Sequence, residues 1–458
     1  MTKKPRPTLA PEFCKGCGRC IDACAHHCIV AGTAVHAATG LTPVVLDLER
    51  CSACGLCLDA CPEPYGLVPE GQGRAGEVPE PVGLRLPPAA QDVPDERIPL
   101  PDLRPLVVKG TYASAIGALL AGCRHFFGYP ITPSTEGAEL MAKLLPGLDG
   151  HFVQAVSEVA AINMMYGAGG AGLRSLTFTS SPGFSLMLEG LSYMVGAEVP
   201  AVVVDVMRGG PGLGNIGPEQ SDVKLACRGL GHGNTHAIVL APATAQEMLD
   251  LTILAFDLSF RYRNPVVVLA DGYLGQMTGR VTLPDTLLRP GLPGWAVYGD
   301  RAHRPNLISS IQLSESDLEA HNLRLIEKYA LMTRSEQRAE LYEAEDAHAL
   351  LVACNTPARL AKGAVCELRD RGIRAGLFRP VTLWPFPIDA LRPLLRPGLR
   401  LVMVEASDGQ IEDELRLALS HAGIAPPPIE HVRRYGGVLP RQEEIVARVL
   451  GTTERGAA

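Results

Sequence analysis

Nine of the 13 cysteines fall between Cys14 and Cys61. Eight of them form two runs of one spacing, Cys14-x2-Cys17-x2-Cys20-x3-Cys24 and Cys51-x2-Cys54-x2-Cys57-x3-Cys61, the second followed by Pro62. No other feature limits the fold as tightly. Three thiolates two residues apart can wrap one iron–sulfur cube, while the fourth cysteine of each run reaches the other cube. The spacing therefore predicts one [4Fe–4S] cluster on Cys14, Cys17, Cys20 and Cys61, and a second on Cys51, Cys54, Cys57 and Cys24. The runs also read as an internal repeat, FCKGCGRCIDAC against RCSACGLCLDAC. Ala25 stands where the pattern has proline. A ninth cysteine, Cys28, follows His26 and His27 at a spacing unsuited to a ligand. A zinc knot is the bland alternative, and two complete quartets at these spacings argue against it. Cys123, Cys227, Cys354 and Cys366 are scattered, and free cysteines are expected as buried small hydrophobes.

The spacing is that of bacterial two-cluster ferredoxins. Composition limits the rest. Apolar residues make up 47% and charged residues 20% of 458 positions, enough for about three folded domains. The net charge of −7 and the lack of a Lys/Arg block argue against nucleic acid. No run approaches a membrane span. Met1–Ala10 lacks the apolar core of a signal peptide, so a cytoplasmic location is expected and a disulfide scaffold is not.

Residues 1–68 form the cysteine-rich block, and 69–104, dense in Pro, Gly and charge, read as an extended linker. Beyond Pro105 short apolar runs alternate with helix-length segments. Phe152–Val156, Ser175–Thr179, Ala201–Val206, Ala237–Leu240 and Val266–Ala270 are the expected strands. That alternation predicts a doubly wound α/β domain over 105–285. Residues 286–345 read as a connector with one charged helix near Ser316–Leu341. A second, smaller α/β domain is expected over 346–458. The fold class expected is thus multi-domain: an α+β two-cluster ferredoxin module, then two α/β domains.

The stretches GTYASAIGALLAGCRHFFGYPITPSTEGAEL from Gly110, SEVAA from Ser157 and MRGGPGLGNIGPEQSD from Met207 resemble the alpha subunit of 2-oxoacid:ferredoxin oxidoreductases. So do GHGNTHAIVLAPATAQEM from Gly231 and NPVVVLADGYLGQM from Asn264. The resemblance runs from about residue 105 to 280, and more weakly to the C-terminus. The RGGPGLG form looks closer to branched-chain members than to 2-oxoglutarate members. It implies that the first α/β domain is of the thiamine-diphosphate pyrimidine-binding type and the second transketolase C-terminal-like. The family's alpha subunit usually lacks the fused cluster module.

Three residues are candidates for the chemistry. Read alone, Thr132 is a helix N-cap with Pro133 at the first helical position; the resemblance implies a place against substrate and cofactor. Glu158 read alone serves a helix dipole; the resemblance implies an acid on the aminopyrimidine ring of thiamine diphosphate. Arg208 follows a strand and opens a loop holding Gly209, Gly210, Gly212, Gly214 and Gly217. Glycines there let backbone approach a ligand, and an arginine fork suits a carboxylate; the resemblance implies the carboxylate of a 2-oxo acid. His232 ranks low as a site residue.

The Gly-Asp-Gly motif that holds the magnesium-bound diphosphate in thiamine enzymes is missing. The resemblance then implies a beta subunit supplying thiamine diphosphate with Mg2+ at a shared site, and commonly a gamma subunit. Coenzyme A is implied as co-substrate, and ferredoxin or a similar carrier as electron acceptor. The expected activity is oxidative decarboxylation of a 2-oxo acid, with 3-methyl-2-oxobutanoate or 2-oxoglutarate favoured. A pure electron-transfer subunit with scaffold domains is the rival.

Overall fold

The computed structural model describes residues 4–37, 39–63, 65–71, 90–303 and 305–452. The chain divides into two compact units, 1–88 and 89–458.

The first unit pairs β1 (Pro7–Leu9) with β4 (Leu67–Pro69), and β2 (Ile29–Ala31) with β3 (Val44–Leu46). Two short helices, α1 (Arg19–Asp22) and α2 (Leu56–Ala60), follow Gly18 and Gly55, the residues directly after the second cysteine of each run. Both glycines have positive φ, 77° and 79°, a conformation that glycine adopts without steric penalty. Its small core is Cys20, Ile29, Val44, Cys57 and Leu67, too little apolar surface to hold about 65 residues without cross-linking groups.

The second unit begins with β5 (Glu96–Pro99), β6 (Leu106–Lys109) and α3 (Gly110–Leu120). The run β7 (His125–Gly128), α4 (Thr135–Leu144), β8 (His151–Gln154), α5 (Glu158–Gly170), β9 (Ser175–Thr179), α6 (Ser181–Gly196), β10 (Ala201–Met207) follows. Then come α7 (Val223–Arg228), β11 (Ile238–Leu240), α8 (Ala245–Tyr262), β12 (Pro265–Asp271), α9 (Gly272–Gln276), β13 (Thr278–Val281), β14 (Thr286–Arg289) and α10 (Glu315–Ser335). The last stretch is β15 (Ala339–Tyr342), β16 (Ala349–Val352), α11 (Asn355–Asp370), β17 (Ala375–Pro380), β18 (Thr382–Trp384), α12 (Ile388–Leu391), β19 (Arg400–Glu405), α13 (Gln410–His421), β20 (Ile429–Arg433) and α14 (Gln442–Leu450).

Seven strands form the larger sheet in the order β18-β11-β12-β10-β9-β7-β8, all parallel except β18. The near-continuous apolar runs of β10 and β12 place them at its centre, covered by helices on both faces. Every residue of these two strands is buried. Among them Asp205 is a carboxyl inside the sheet. Helix α3 packs so closely on α8 that a Cβ at Gly117 would stand 2.5 Å from the Leu249 carbonyl oxygen. The smaller sheet runs β15-β17-β16-β19-β20, with only β15 antiparallel.

Three sequence expectations differ from the structure. Of the stretch 69–104 read as linker, residues 72–89 lie outside the described residues; the rest is not free chain. β5 pairs with β14, and Asp95 accepts from Arg174 Nη2 at 2.7 Å. The charged helix expected to reach Leu341 stops at Ser335. There the buried Glu336 takes bonds from Tyr262 Oη at 2.5 Å and Arg338 Nη2 at 2.6 Å, and Ala339–Tyr342 turns into a strand of the smaller sheet. Of the scattered cysteines, Cys123, Cys227 and Cys354 are buried, whereas Cys366 is exposed and bonded to the Tyr342 hydroxyl at 3.2 Å.

The two sheets are tied directly. Asn355 donates to the carbonyls of Pro242 and Leu269, and Thr356 donates from both N–H and hydroxyl to Asp271. No helix among the described residues is long and apolar enough to cross a membrane.

Candidate functional site

In the first unit the cysteines gather into two hollows. One is lined by Cys24, Cys51, Cys54 and Cys57 with Cys28, Pro7 and Ile29. The other is lined by Cys14, Cys17, Cys20 and Cys61 with Val44 and Leu67. The fourth cysteine of each run thus stands with the other run's first three. Among the described residues no three His, Cys, Asp or Glu side chains converge tightly enough to hold a single metal ion. Four thiols around an apolar hollow, too far apart for one zinc, fit a larger cage of iron and sulfide. Cys28 is buried and gives its backbone N–H to Cys24 Sγ at 3.3 Å, so its place in the hollow is beside the Cys24 sulfur.

In the second unit the carboxyl ends of β7, β9, β10 and β12 meet along one edge of the larger sheet, where open α/β sheets bind ligands. The piece common to the candidate residues is the first turn of α6. Glu158, at the start of α5 behind the N-cap Ser157, is only 5% exposed. Its side chain lies over Gly183: a Cβ there would stand 2.5 Å from Glu158 Oε1 and 2.5 Å from Thr179 Oγ1. Two residues earlier, Ser181 Oγ accepts the backbone N–H of Arg208 at 3.1 Å. So Glu158 and Arg208 reach the same helix turn from two different strands.

Arg208 also meets the third candidate. Its Nη1 donates to the Thr132 carbonyl at 2.8 Å and its Nη2 to the Leu213 carbonyl at 3.2 Å. One N–H on each of Nη1 and Nη2 remains for another acceptor, while the Nε–H is buried. Thr132 itself is exposed and is not an N-cap. The turn Ile131–Ser134, closed by Ser134 N–H to the Ile131 carbonyl at 3.0 Å, takes up Thr132 and Pro133. Helix α4 starts after it, at Thr135. The glycine-rich loop likewise serves its own closure. Gly209 N–H bonds the Gly217 carbonyl at 2.9 Å, and a Cβ at Gly214 would fall 1.7 Å from the Gly209 carbonyl oxygen.

No described residue hydrogen-bonds the Glu158 carboxylate. Thr179 Oγ1 and Ser180 Oγ are buried nearby with no protein partner either. A buried acid beside two orphaned hydroxyls, over a glycine that keeps space open, fits a polar heterocycle such as an aminopyrimidine. Exposed apolar side chains flank the site: Val156 at 87%, Leu213 at 82% and Ile216 at 62%, with Tyr129, Val159 and Tyr273. His232 lies elsewhere. It bonds Ser192 Oγ at 3.4 Å, eleven residues along α6 from Ser181, on the order of 16 Å away. Sequence reading gave no role to Ser181, Gly183, Ser221 and Asp222; the signals were Ser-Ser-Pro-Gly opening a helix after a strand, and Ser221-Asp222 closing the stretch from Met207 that carries the resemblance.

Comparison with known proteins bears on these features. Residues 13–64 match the family model of 4Fe-4S dicluster domains. Residues 116–301 match that of the pyruvate flavodoxin/ferredoxin oxidoreductase thiamine diphosphate-binding domain, and 347–445 that of pyruvate:ferredoxin oxidoreductase core domain II. Ketoisovalerate oxidoreductase subunit VorB of Methanothermobacter marburgensis is 47% identical over 345 residues, spanning 75% of this chain and 96% of that one. The chain belongs to the alpha subunits of 2-oxoacid:ferredoxin oxidoreductases.

As a member of this family it is one subunit of a hetero-oligomeric oxidoreductase. It joins a two-[4Fe–4S] ferredoxin-like module to a thiamine diphosphate-binding domain and a C-terminal domain of the pyruvate:ferredoxin oxidoreductase core domain II type. A 2-oxoglutarate synthase subunit KorA, from Methanocaldococcus jannaschii, is 35% identical over 367 residues, 75% of this chain and 99% of that one. Among solved structures, 2-oxoglutarate:ferredoxin oxidoreductase from Magnetococcus marinus, with 2-oxoglutarate, coenzyme A and succinyl-CoA bound, superposes with a TM-score of 0.66. It is 27% identical and covers 76% of this chain and 65% of that one.

Proposed function

We propose that the assembled enzyme converts a 2-oxo acid, coenzyme A and two oxidised one-electron carriers to an acyl-CoA, carbon dioxide, two reduced carriers and a proton. The substrate is 3-methyl-2-oxobutanoate, a reading supported by 47% identity to the ketoisovalerate subunit against 35% to the 2-oxoglutarate subunit. The observation that carries the proposal is the shared first turn of α6, which puts a buried acid and an arginine fork at one carboxyl edge.

Bound thiamine diphosphate supplies the electron sink for decarboxylation. Glu158 holds its aminopyrimidine and keeps a proton exchangeable there. The free N–H groups of Arg208 neutralise the substrate carboxylate, and the Thr132 turn fixes that fork. Single electrons leave through the clusters of the first unit to ferredoxin or a similar carrier. Lacking a diphosphate motif, the chain leaves the magnesium-bound end to a beta subunit, and the exposed apolar flank beside Glu158 suits its cover. A gamma subunit completes the assembly, and coenzyme A enters as co-substrate.

The test uses the native complex with a viologen acceptor. Turnover of 3-methyl-2-oxobutanoate should exceed that of 2-oxoglutarate. Glu158→Gln should lower kcat about 100-fold or more while the cluster absorbance stays unchanged. Full turnover by that variant would make the α/β domains a scaffold and the chain an electron-transfer subunit alone.

A further inference from the structure

Arg208 is the first residue beyond the ladders that hold β10. The strand's pairing with β12 ends at Met207 and with β9 at Asp205. Both backbone groups of Arg208 therefore need partners outside the sheet, and two serines from distant segments supply them. Ser181 Oγ accepts the N–H at 3.1 Å, and Ser221 Oγ donates to the C=O at 3.0 Å. The two hydroxyls are 3.1 Å apart and both lie against one atom, Oδ2 of Asp222, at 2.5 and 3.1 Å; Ser181 donates to it, while the one hydrogen of Ser221 is engaged by the Arg208 carbonyl.

Asp222 is 6% exposed, and on its inner side it faces Asp205, which has no exposure. Burial and that facing carboxylate push Asp205 well above the ordinary range, and burial raises Asp222 as well. A dry interior with a second carboxylate facing it disfavours the charged form of Asp205. Glu219, also buried, adds negative charge near Asp222 but bonds elsewhere, to Gly210 N–H at 2.8 Å.

We infer that Ser181, Ser221 and Asp222 are positioning residues: they clamp the Arg208 backbone so that its fork meets the substrate carboxylate at a fixed place. The guanidinium end is held separately by the Thr132 and Leu213 carbonyls. An arginine pinned at both ends arrives pre-oriented and loses little freedom when it binds. This inference rests on the proposed role of Arg208 and names what enforces it.

The experiment uses the native complex with Ser181→Ala, Ser181→Thr, Ser221→Ala and Arg208→Ala. Two readouts are taken: hydrogen exchange of the peptide that carries the Arg208 amide, and KM for the 2-oxo acid beside KM for coenzyme A. Ser181→Ala should speed the exchange and raise the 2-oxo acid KM about tenfold, the loss of one buried hydrogen bond, with the coenzyme A KM within about twofold. Ser181→Thr, which keeps the hydroxyl, should restore both. An unchanged exchange rate, or equal shifts in both KM values, would overturn the clamp. Should Ser181→Ala fail to assemble, Ser221→Ala, which removes the bond to the Arg208 carbonyl, is read by the two KM values: the 2-oxo acid KM should rise about tenfold with the coenzyme A KM within about twofold, and equal or absent shifts would overturn the clamp. If Arg208→Ala leaves the 2-oxo acid KM unaltered, the carboxylate reading fails, while exchange still reports on the clamp. If Arg208→Ala raises KM and neither serine variant does, the clamp alone fails.

Discussion

A Cβ on Gly183 would stand 2.5 Å from Oε1 of Glu158, so the absence of a side chain on one helix sets where the carboxylate of another can lie. In a helix alanine is favoured over glycine by up to about 1 kcal/mol. Gly183→Ala should therefore assemble, yet push Glu158 off its position. Thiamine diphosphate affinity of the complex, measured by titration of the cofactor-depleted enzyme, should fall about tenfold or more for a displaced charged contact. Unchanged affinity would separate Glu158 from the cofactor.

Arg208→Ala should raise KM for the 2-oxo acid by the equivalent of about 2–5 kcal/mol, the cost of leaving a carboxylate unpaired. Arg208→Lys should recover little of it, because a point charge cannot bond the Thr132 and Leu213 carbonyls and a carboxylate together. Steady-state kinetics with 3-methyl-2-oxobutanoate decides. A KM within twofold of wild type counts against the assignment.

Cys28 stands beside Cys24 at the cluster hollow: its N–H bonds Cys24 Sγ at 3.3 Å and its thiol bonds the His26 carbonyl at 3.7 Å. Cys28→Ala should keep both cubes, about eight irons per chain in all. Cys24→Ala should lower the iron content and bleachable absorbance. Iron loss in Cys28→Ala matching that in Cys24→Ala would make Cys28 a ligand.

Glu405, fully buried at the end of β19, has its carboxyl pushed by burial from 4.5 up to about 7. The raised value means that the folded chain holds this proton more tightly than the unfolded chain. Its contribution is full at low pH and is lost as pH rises through 7. Glu405→Gln removes that titration. The stability of wild type relative to the variant should drop by about 2 to 3 kcal/mol between about pH 5 and about pH 8. Denaturant melts at several pH values measure it, and a flat difference would refute it.

The parts legible in the chain were those written as spacing or period. Cysteine intervals announced two hollows, and the runs Ala201–Val206 and Val266–Ala270 announced the central strands. What stayed hidden depends on who meets whom. Thr132-Pro133 has the composition of a helix start, but a local turn took those residues and Ser134 became the flank. The glycines after Arg208 read as ligand-facing, yet Gly214 is needed because its own loop passes through the space a Cβ would fill. Ser181 and Ser221 are forty residues apart and unremarkable in sequence; only the sheet's winding brings them to one carboxylate.

Strand β18 follows β17 of the smaller sheet, yet it pairs antiparallel with β11 at the border of the larger one. A gene fragment ended near residue 345 would leave β11 bare, inviting association through that open border. Recombination can swap whatever precedes residue 89 without disturbing this pairing, whereas the two α/β halves must be inherited together. Shortened versions made for the laboratory should respect the same seam.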